Sequence, residues 1–382
     1  MENELPIAEK RPVPLVLPVA EPKHEAAFKL PSADQNFVIG TTPSGLGEVP
    51  TITPFLTGKD RMGSWFARWK IGRMSFVVEP GLYALGAPDP KSPVVVTANY
   101  KMSFDQLRAA LADHDCWILV LNTKGINVWC AAGKGSFGTV ELYDRIVESR
   151  LAEVVSHRKI VVPQLGAPGV KGLDIKKYTG FKVVWGPIMA TDLPAFLAQG
   201  MKVEPAMRRK DFPVEERLVL APVEFVQASG KTLLLILLFL LLSGLGGELP
   251  FWQASLEMGF FAALALLAAL LSGTVLVPLF LPWLSGRAFS VKGMWTGLFS
   301  YLVLVAVYGL ARPEAIIGRL EAVAWFFMVI AISSWLGMNF TGSSTYTSHS
   351  GVRYEMQHAI PAQAGAFLVG IICWLAARFW VS

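Results

Sequence analysis

Cys130 is the residue whose type and setting most invite chemistry. It lies in residues 117–139, WILVLNTKGINVWCAAGKGSFGT, where a strand is expected to end at Asn122, glycine and asparagine to make a turn, and a short helix to start near Asn127. One turn into that helix the sulfur would meet free backbone N–H groups and the positive end of the helix dipole, which favour thiolate over thiol. The alternative is a buried cysteine acting as a small hydrophobe. Ala131, Ala132 and Gly133 would leave a flat backbone surface that a large planar group could approach. The three cysteines, Cys116, Cys130 and Cys373, are too dispersed for a C-x-x-C metal or redox pair, and a disulfide framework is not expected.

Residues 133–140, GKGSFGTV, imitate both the dinucleotide G-x-G-x-x-G and the glycine-rich loop of kinases. Neither context holds. The preceding WCAA is not a strand, and no V-A-I-K, H-R-D or D-F-G sequence comes after it. Lys134 is followed by glycine, so P-loop chemistry fails as well.

The elements that must position Cys130 read as alternating strands and helices. Residues 75–78, 93–97, 117–121, 159–163 and 182–185 are expected strands, and residues 104–112, 140–154 and 192–198 expected helices, with Ser103 and Thr191 or Asp192 as N-caps. That order predicts an α/β open-sheet, Rossmann-like domain over residues 36–200, largely parallel, with ligand sites at the carboxyl ends of its strands. Residues 1–35, with Pro12, Pro14, Pro18, Pro22 and Pro31 among charges, read as a flexible arm without a secretory signal.

The rest of the chain is a different material. Hydrophobic residues make up 53% against 16% charged, and the mean hydropathy of +0.46 requires a membrane part. A charged linker is expected over 201–231 and an α-helical transmembrane domain of about five spans over 232–382, at 232–247, 258–286, 293–311, 322–339 and 359–377. Pro278 and Pro282 should kink or shorten the second span. No expected span holds a charge near its middle, which argues against a proton relay or an ion-coupled transporter. Arg208, Arg209, Lys210, Lys231, Arg287 and Lys292 favour a cytoplasmic amino end, whereas Arg312 and Arg319 oppose it. The net charge of +5 is spread among acids, so nucleic acid is not an expected partner.

The run 127–134, NVWCAAGK, resembles the cap-helix signature shared by the large subunit of the corrinoid iron–sulfur protein and the mercury-methylating corrinoid protein family. Residues 94–108, 161–172 and 183–197 are similar to the corrinoid domain of the same group. The iron–sulfur relative is soluble and carries a four-cysteine cluster motif. The cysteine count here, with membrane segments after the domain, resembles the mercury-methylating pattern instead. This resemblance implies a cobalamin-type corrinoid bound base-off, with Cys130 as lower axial ligand to its cobalt. The histidine-ligand motif D-x-H-x-x-G is missing at Asp113-His114. A soft sulfur trans to the methyl group pushes density onto cobalt and favours transfer of a carbanion equivalent to Hg(II). The resemblance further implies a methyltetrahydrofolate-linked methyl donor and a ferredoxin-like iron–sulfur protein as electron donor. The expected location is the inner cytoplasmic membrane, multi-pass, with the corrinoid domain in the cytoplasm.

Other residues are assigned on the same expectation, each beside a structural alternative. Asn127, Val128 and Trp129 would orient the cap helix and cover the ring, or cap and fill the core. Thr97, Asn99 and Ser103 could bond the macrocycle's amides, although Ser103 could simply cap a helix, and Asn122, Thr123 and Gly125 could meet its edge or tail. Lys134 could meet the nucleotide-loop phosphate or be solvated. Gln164, Gly166, Ala167 and Gly169 form a small-residue loop suited to the tail. His349 and His358 could ferry Hg(II) or be solvated. Two other functions stay open: a corrinoid methyl carrier in one-carbon metabolism or another metal or metalloid methylation, and a corrinoid-binding sensor or chaperone.

Overall fold

Short runs of Val, Ile and Leu make the centre of the molecule, because β-branched side chains pack well on a pleated surface. A computed structural model describes residues 29–245, 250–312, 318–342 and 349–379. Seven strands form one sheet: β1 (Val38–Ser44), β2 (Gly47–Ile52), β3 (Gly81–Leu85), β4 (Val94–Ala98), β5 (Cys116–Leu121), β6 (Lys159–Val162) and β7 (Lys182–Trp185), in the order β1-β2-β3-β5-β4-β6-β7. The segment β5-β4-β6-β7 is parallel, as expected. The other edge is not: β3 is antiparallel to β5, and β1 to β2, so the sheet is mixed.

Alternation along the strands feeds two cores. On β5, Trp117, Leu119 and Leu121 face one layer, with Leu142, Ile146 and Ile175. Cys116, Ile118 and Val120 face the other, with Phe104, Leu107 and Phe196. Helices therefore cover both faces: α1 (Gly58–Arg68), α2 (Lys101–Ala110), α3 (Val128–Lys134), α4 (Thr139–Glu148), α5 (Leu151–Val154), α6 (Gly172–Thr179) and α7 (Leu193–Ala198). Burial pushes the Cys116 thiol up to about 12, so this cysteine is an inert member of the core.

Several local expectations fail for identifiable reasons. Residues 75–78 are no strand: a 3-10 turn ends at Ser75, and Val77 makes one isolated bridge to Tyr100. The helix expected over 140–154 breaks where Arg150 takes φ 45°. Ser103 lies inside α2, whose N-cap is Tyr100. At α7 the N-cap is Asp192, with no side-chain cap hydrogen bond. Of the expected arm, residues 1–28 lie outside the described residues, whereas its end is tied to the sheet. Gln35 Nε2 donates to the Tyr83 hydroxyl at 2.8 Å, and the Ser32 N–H to Glu79 at 2.7 Å.

Beyond the sheet run α8 (Val214–Ser243), α9 (Phe251–Leu271), α10 (Val277–Phe280), α11 (Phe289–Ala311), α12 (Arg319–Met338) and α13 (His349–Phe379), with a π-helical stretch, Ser272–Leu276, joining α9 to α10. Among the described residues, five helices are long and apolar enough to cross a membrane. α8 begins well before residue 232, so much of the stretch read as a linker is helical, and Glu224 and Lys231 fall within it. The expectation of spans without interior charge does not hold there. Pro282 has no N–H to offer the Pro278 carbonyl, and buried Arg217 donates to that oxygen at 3.0 Å instead. The side chain of His349 lies outside the described ones, and His358 is exposed, its Nδ1 2.9 Å from the Tyr354 carbonyl.

Candidate functional site

The chain leaves β5 through a turn that sets the direction of α3. Asn99, buried at the end of β4, accepts on Oδ1 from the backbone N–H of Thr123 at 3.0 Å and of Gly125 at 3.1 Å. The Thr123 hydroxyl lies 2.9 Å from the same oxygen and 2.6 Å from the Ile126 carbonyl. Gly125 has φ 71°, and a Cβ there would meet Val77 at 2.9 Å, so only glycine suits the turn. Asn122 is exposed; its N–H donates to Glu141 at 2.7 Å and its Oδ1 accepts from Lys124 at 3.2 Å. Asn99, Thr123 and Gly125 thus spend their bonds on one another and aim the chain into α3.

That helix is capped by Asn127, whose Oδ1 accepts the Cys130 N–H at 2.9 Å. Cys130 is half-buried. Burial pushes its thiol above the ordinary value, against the pull of Lys134 and Arg73 and a hydrogen bond with Asn127. Desolvation thus opposes the field of this seven-residue helix and the pull of both cations. Arg73, which lies 5.4 Å above the Tyr100 ring, is a neighbour that motif reading missed.

A cleft of about 260 Å3 opens at the carboxyl ends of the parallel strands. Of the expected site residues it gathers Thr97, Ser103, Asn127, Val128 and Trp129, and adds Gln106, Pro187, Ile188, Lys210 and Phe212. A shallower hollow adjoins it, sharing Trp129, Leu165, Ile188 and Lys210, and lined also by Gln164, Ala167 and Arg208. Gln164 accepts from Arg208 at 2.9 Å. Cys130 comes directly after Trp129 on α3 and is not part of the cleft wall. The position was legible from the rule that open α/β sheets bind at strand ends. Arg208, Lys210 and Phe212 were not, because they come from the charged stretch leading to α8.

The small residues have a packing role. Ala131 and Ala132 are buried in the core rather than presented as a flat surface, while Gly133 and Lys134 are exposed. A Cβ on Gly166 would meet the Phe137 ring at 2.4 Å, and one on Gly169 would meet the Phe137 carbonyl at 2.1 Å and the Ala132 Cα at 3.1 Å. These glycines let the 164–169 loop close onto α3.

Among the described residues, no group of three or more His, Cys, Asp or Glu could hold a bare metal ion. A metal-bearing macrocycle, which brings its own ligands, would need only one such protein donor. One soft sulfur on a fixed helix, beside a cleft offering the Thr97 and Ser103 hydroxyls and the Gln106 and Asn127 amides, is a donor set that fits such a group. The cleft's volume suits an edge or side arm of a large ligand.

Comparison with known proteins matches the stretch that holds β3 to β7 and leaves β1, β2 and the membrane-length helices apart. Residues 72–197 match the family described as CO dehydrogenase/acetyl-CoA synthase delta subunit. The chain is 39% identical over 122 residues to the acetyl-CoA decarbonylase/synthase complex subunit gamma of Methanopyrus kandleri, covering 31% of this chain and 26% of the relative. It is 36% identical over 113 residues to that of Archaeoglobus fulgidus (29% and 24%), and 35% over 122 residues to that of Methanocaldococcus jannaschii (31% and 25%). The chain thus spans about a quarter of the length of these curated relatives. From β3 to α7, with Cys130 and the cleft lining other than Lys210 and Phe212 inside the match, the chain is similar to the delta-subunit family of CO dehydrogenase/acetyl-CoA synthase.

Proposed function

We propose that the chain is a membrane-anchored, corrinoid-dependent methyltransferase whose acceptor is Hg(II) and whose product is methylmercury. The observation that carries this reading is Cys130: a half-buried sulfur on a helix fixed by Asn127, beside a strand-end cleft, with no other metal-ligating set around it among the described residues. When bound, a base-off corrinoid supplies a cobalt centre that takes a methyl group from a methyltetrahydrofolate-linked donor and yields it to an electrophile. Cys130 would be the one protein ligand to that centre, and its proton must leave for the sulfur to serve. Asn127 orients the thiol; Trp129 walls the cleft; Thr97, Ser103, Gln106 and Asn127 offer bonds to a ligand's side arms. The three dispersed cysteines hold no cluster, so electrons would come from a ferredoxin-like iron–sulfur protein. The α/β half would lie in the cytoplasm, on the side of Arg208, Arg209, Arg287 and Lys292.

The test is anaerobic proteoliposomes supplied with the methyl donor, the reduced iron–sulfur partner and Hg(II). Native protein should yield methylmercury and Cys130→Ala should not; equal yields would overturn the assignment. A second reading, a methyl carrier in one-carbon metabolism, is favoured by the gamma-subunit relatives. It predicts retention of labelled methyl by the protein with no methylmercury from either form.

A further inference from the structure

We infer that α1 and the turn after it form a paddle that lies in the headgroup region of the inner leaflet, beside the first spanning helix, and binds anionic phospholipid.

The helix has two distinct faces, and only one has a place in the fold. Asp60, Gly63 and Ala67, at i, i+3 and i+7, face inward: Ala67 is fully buried, and a Cβ on Gly63 would meet the Phe76 ring at 2.5 Å. Asp60, the helix's one acid, is drawn into a buried network, 2.5 Å from Lys101 and 2.9 Å from Arg108. The opposite face carries Met62, Trp65, Phe66 and Trp69, at i, i+3, i+4 and i+7. Met62 is 55% exposed and Trp65 54%, and the chain beyond adds Ile71 at 59% and Met74 at 67%. Trp65 and Trp69 lie with ring centroids 5.8 Å apart and planes tilted by 49°, so the indoles form one broad ridge. Lys59, Arg61 and Lys70 are exposed around it, and the acid is turned away.

An apolar ridge of indoles ringed by cations, without exposed acid, matches the chemistry of an anionic bilayer surface. Its height is fixed by the fold. α1 touches α8, the first of the membrane-length helices. The family match begins at residue 72, so α1 is outside what the chain shares with that family. The consequence is orientational: with α1 in the interface, the α/β half cannot swing about the 209–213 stretch, and its cleft keeps one attitude to the membrane.

This inference rests on the membrane placement proposed above. Spin labels placed one at a time at Met62, Ile71 and Met74 would be read by power saturation with oxygen and a nickel chelate. The full chain, with Cys130 and Cys373 replaced by serine, would be in proteoliposomes with or without phosphatidylglycerol. Leu173, 84% exposed on α6, serves as the aqueous reference and Phe299, 62% exposed on α11, as the lipid reference. The oxygen-to-nickel accessibility ratio should be several-fold higher at the three paddle sites than at Leu173. It should fall toward the aqueous value without phosphatidylglycerol, or in the variant Arg61→Gln/Lys70→Gln. Paddle sites as aqueous as Leu173, with Phe299 in lipid, overturn the paddle alone. Sites closed to both reagents would mean protein contact and overturn it too. Phe299 in water would defeat the membrane placement and the paddle together.

Discussion

The two halves of the chain bury polar groups by different chemistry. In the α/β half, the joint between α1 and α2 is ionic: fully buried Arg108 donates to Asp60 and to Asp105 and also caps the Thr53 and Phe55 carbonyls. In the helical half, the crossing of α11 and α12 uses hydroxyls and bare backbone. Ser333 Oγ lies 2.6 Å from Ser272 Oγ and donates to the Gly293 carbonyl at 2.9 Å. A Cβ on Gly293 would meet the Ser333 carbonyl at 2.6 Å. Water rewards a pocket that pairs charge fully, because an uncompensated buried ion is costly; lipid rewards close approach of small residues, because apolar burial gains nothing there. The difference teaches where each half is brittle.

The largest expected effect is Arg108→Met, which leaves Asp60 and Asp105 with Lys101 as their one cation and should cost about 3–5 kcal/mol. Hydrogen exchange of α2 in the full chain would report it, with α11 and α12 unchanged. The same joint should be acid-sensitive. Burial alone would raise the Asp60 pKa, but the hydrogen bonds and charge of Lys101 and the hydrogen bonds of Thr57 outweigh it and hold the carboxyl well below the usual range. Its stabilisation is therefore present above the unfolded carboxyl's value, about 3.9, and lost as pH falls through and below it. The hydroxyl crossing has nothing comparable to titrate, so acid unfolding that starts in the helical half would break the comparison.

Next comes Gly293→Val, which must push α12 away and should cost about 1–3 kcal/mol in detergent unfolding. Asn127→Ala removes the cap of α3 and should cost about 1 kcal/mol, read as faster exchange at the Cys130 amide. Ser333→Ala should be mildest, about 0.6 kcal/mol, the size typical of such hydroxyl bonds between helices if the bundle lies in a membrane as proposed. A Ser333 effect as large as that of Arg108 would erase the distinction between the halves.

The sequence revealed these regions unevenly. β4 to β7 were visible because each is a compact run of β-branched or large apolar residues bounded by breakers. β1 (VIGTTPS) and β2 (GEVPTI) were not, since glycine, proline and threonine conceal a strand whose pairing is supplied by its neighbour. α1 escaped notice because its inward face, Asp60, Gly63 and Ala67, is small or charged and carries no core signal. The strand-end location of the cleft followed from topology, and Cys130 from its neighbours. That Asn99 and Thr123 serve the turn, and that Arg73 and Lys210 reach the site, depends on contacts across long stretches of chain.

The proposed chemistry turns on the sulfur of Cys130, and cobalt K-edge X-ray absorption of the full chain, loaded anaerobically with corrinoid, examines it most directly. A sulfur scatterer on cobalt in the native protein, lost in Cys130→Ala while corrinoid remains bound, is the predicted result. Nitrogen or oxygen alone in the native protein, unchanged by the substitution, would contradict it.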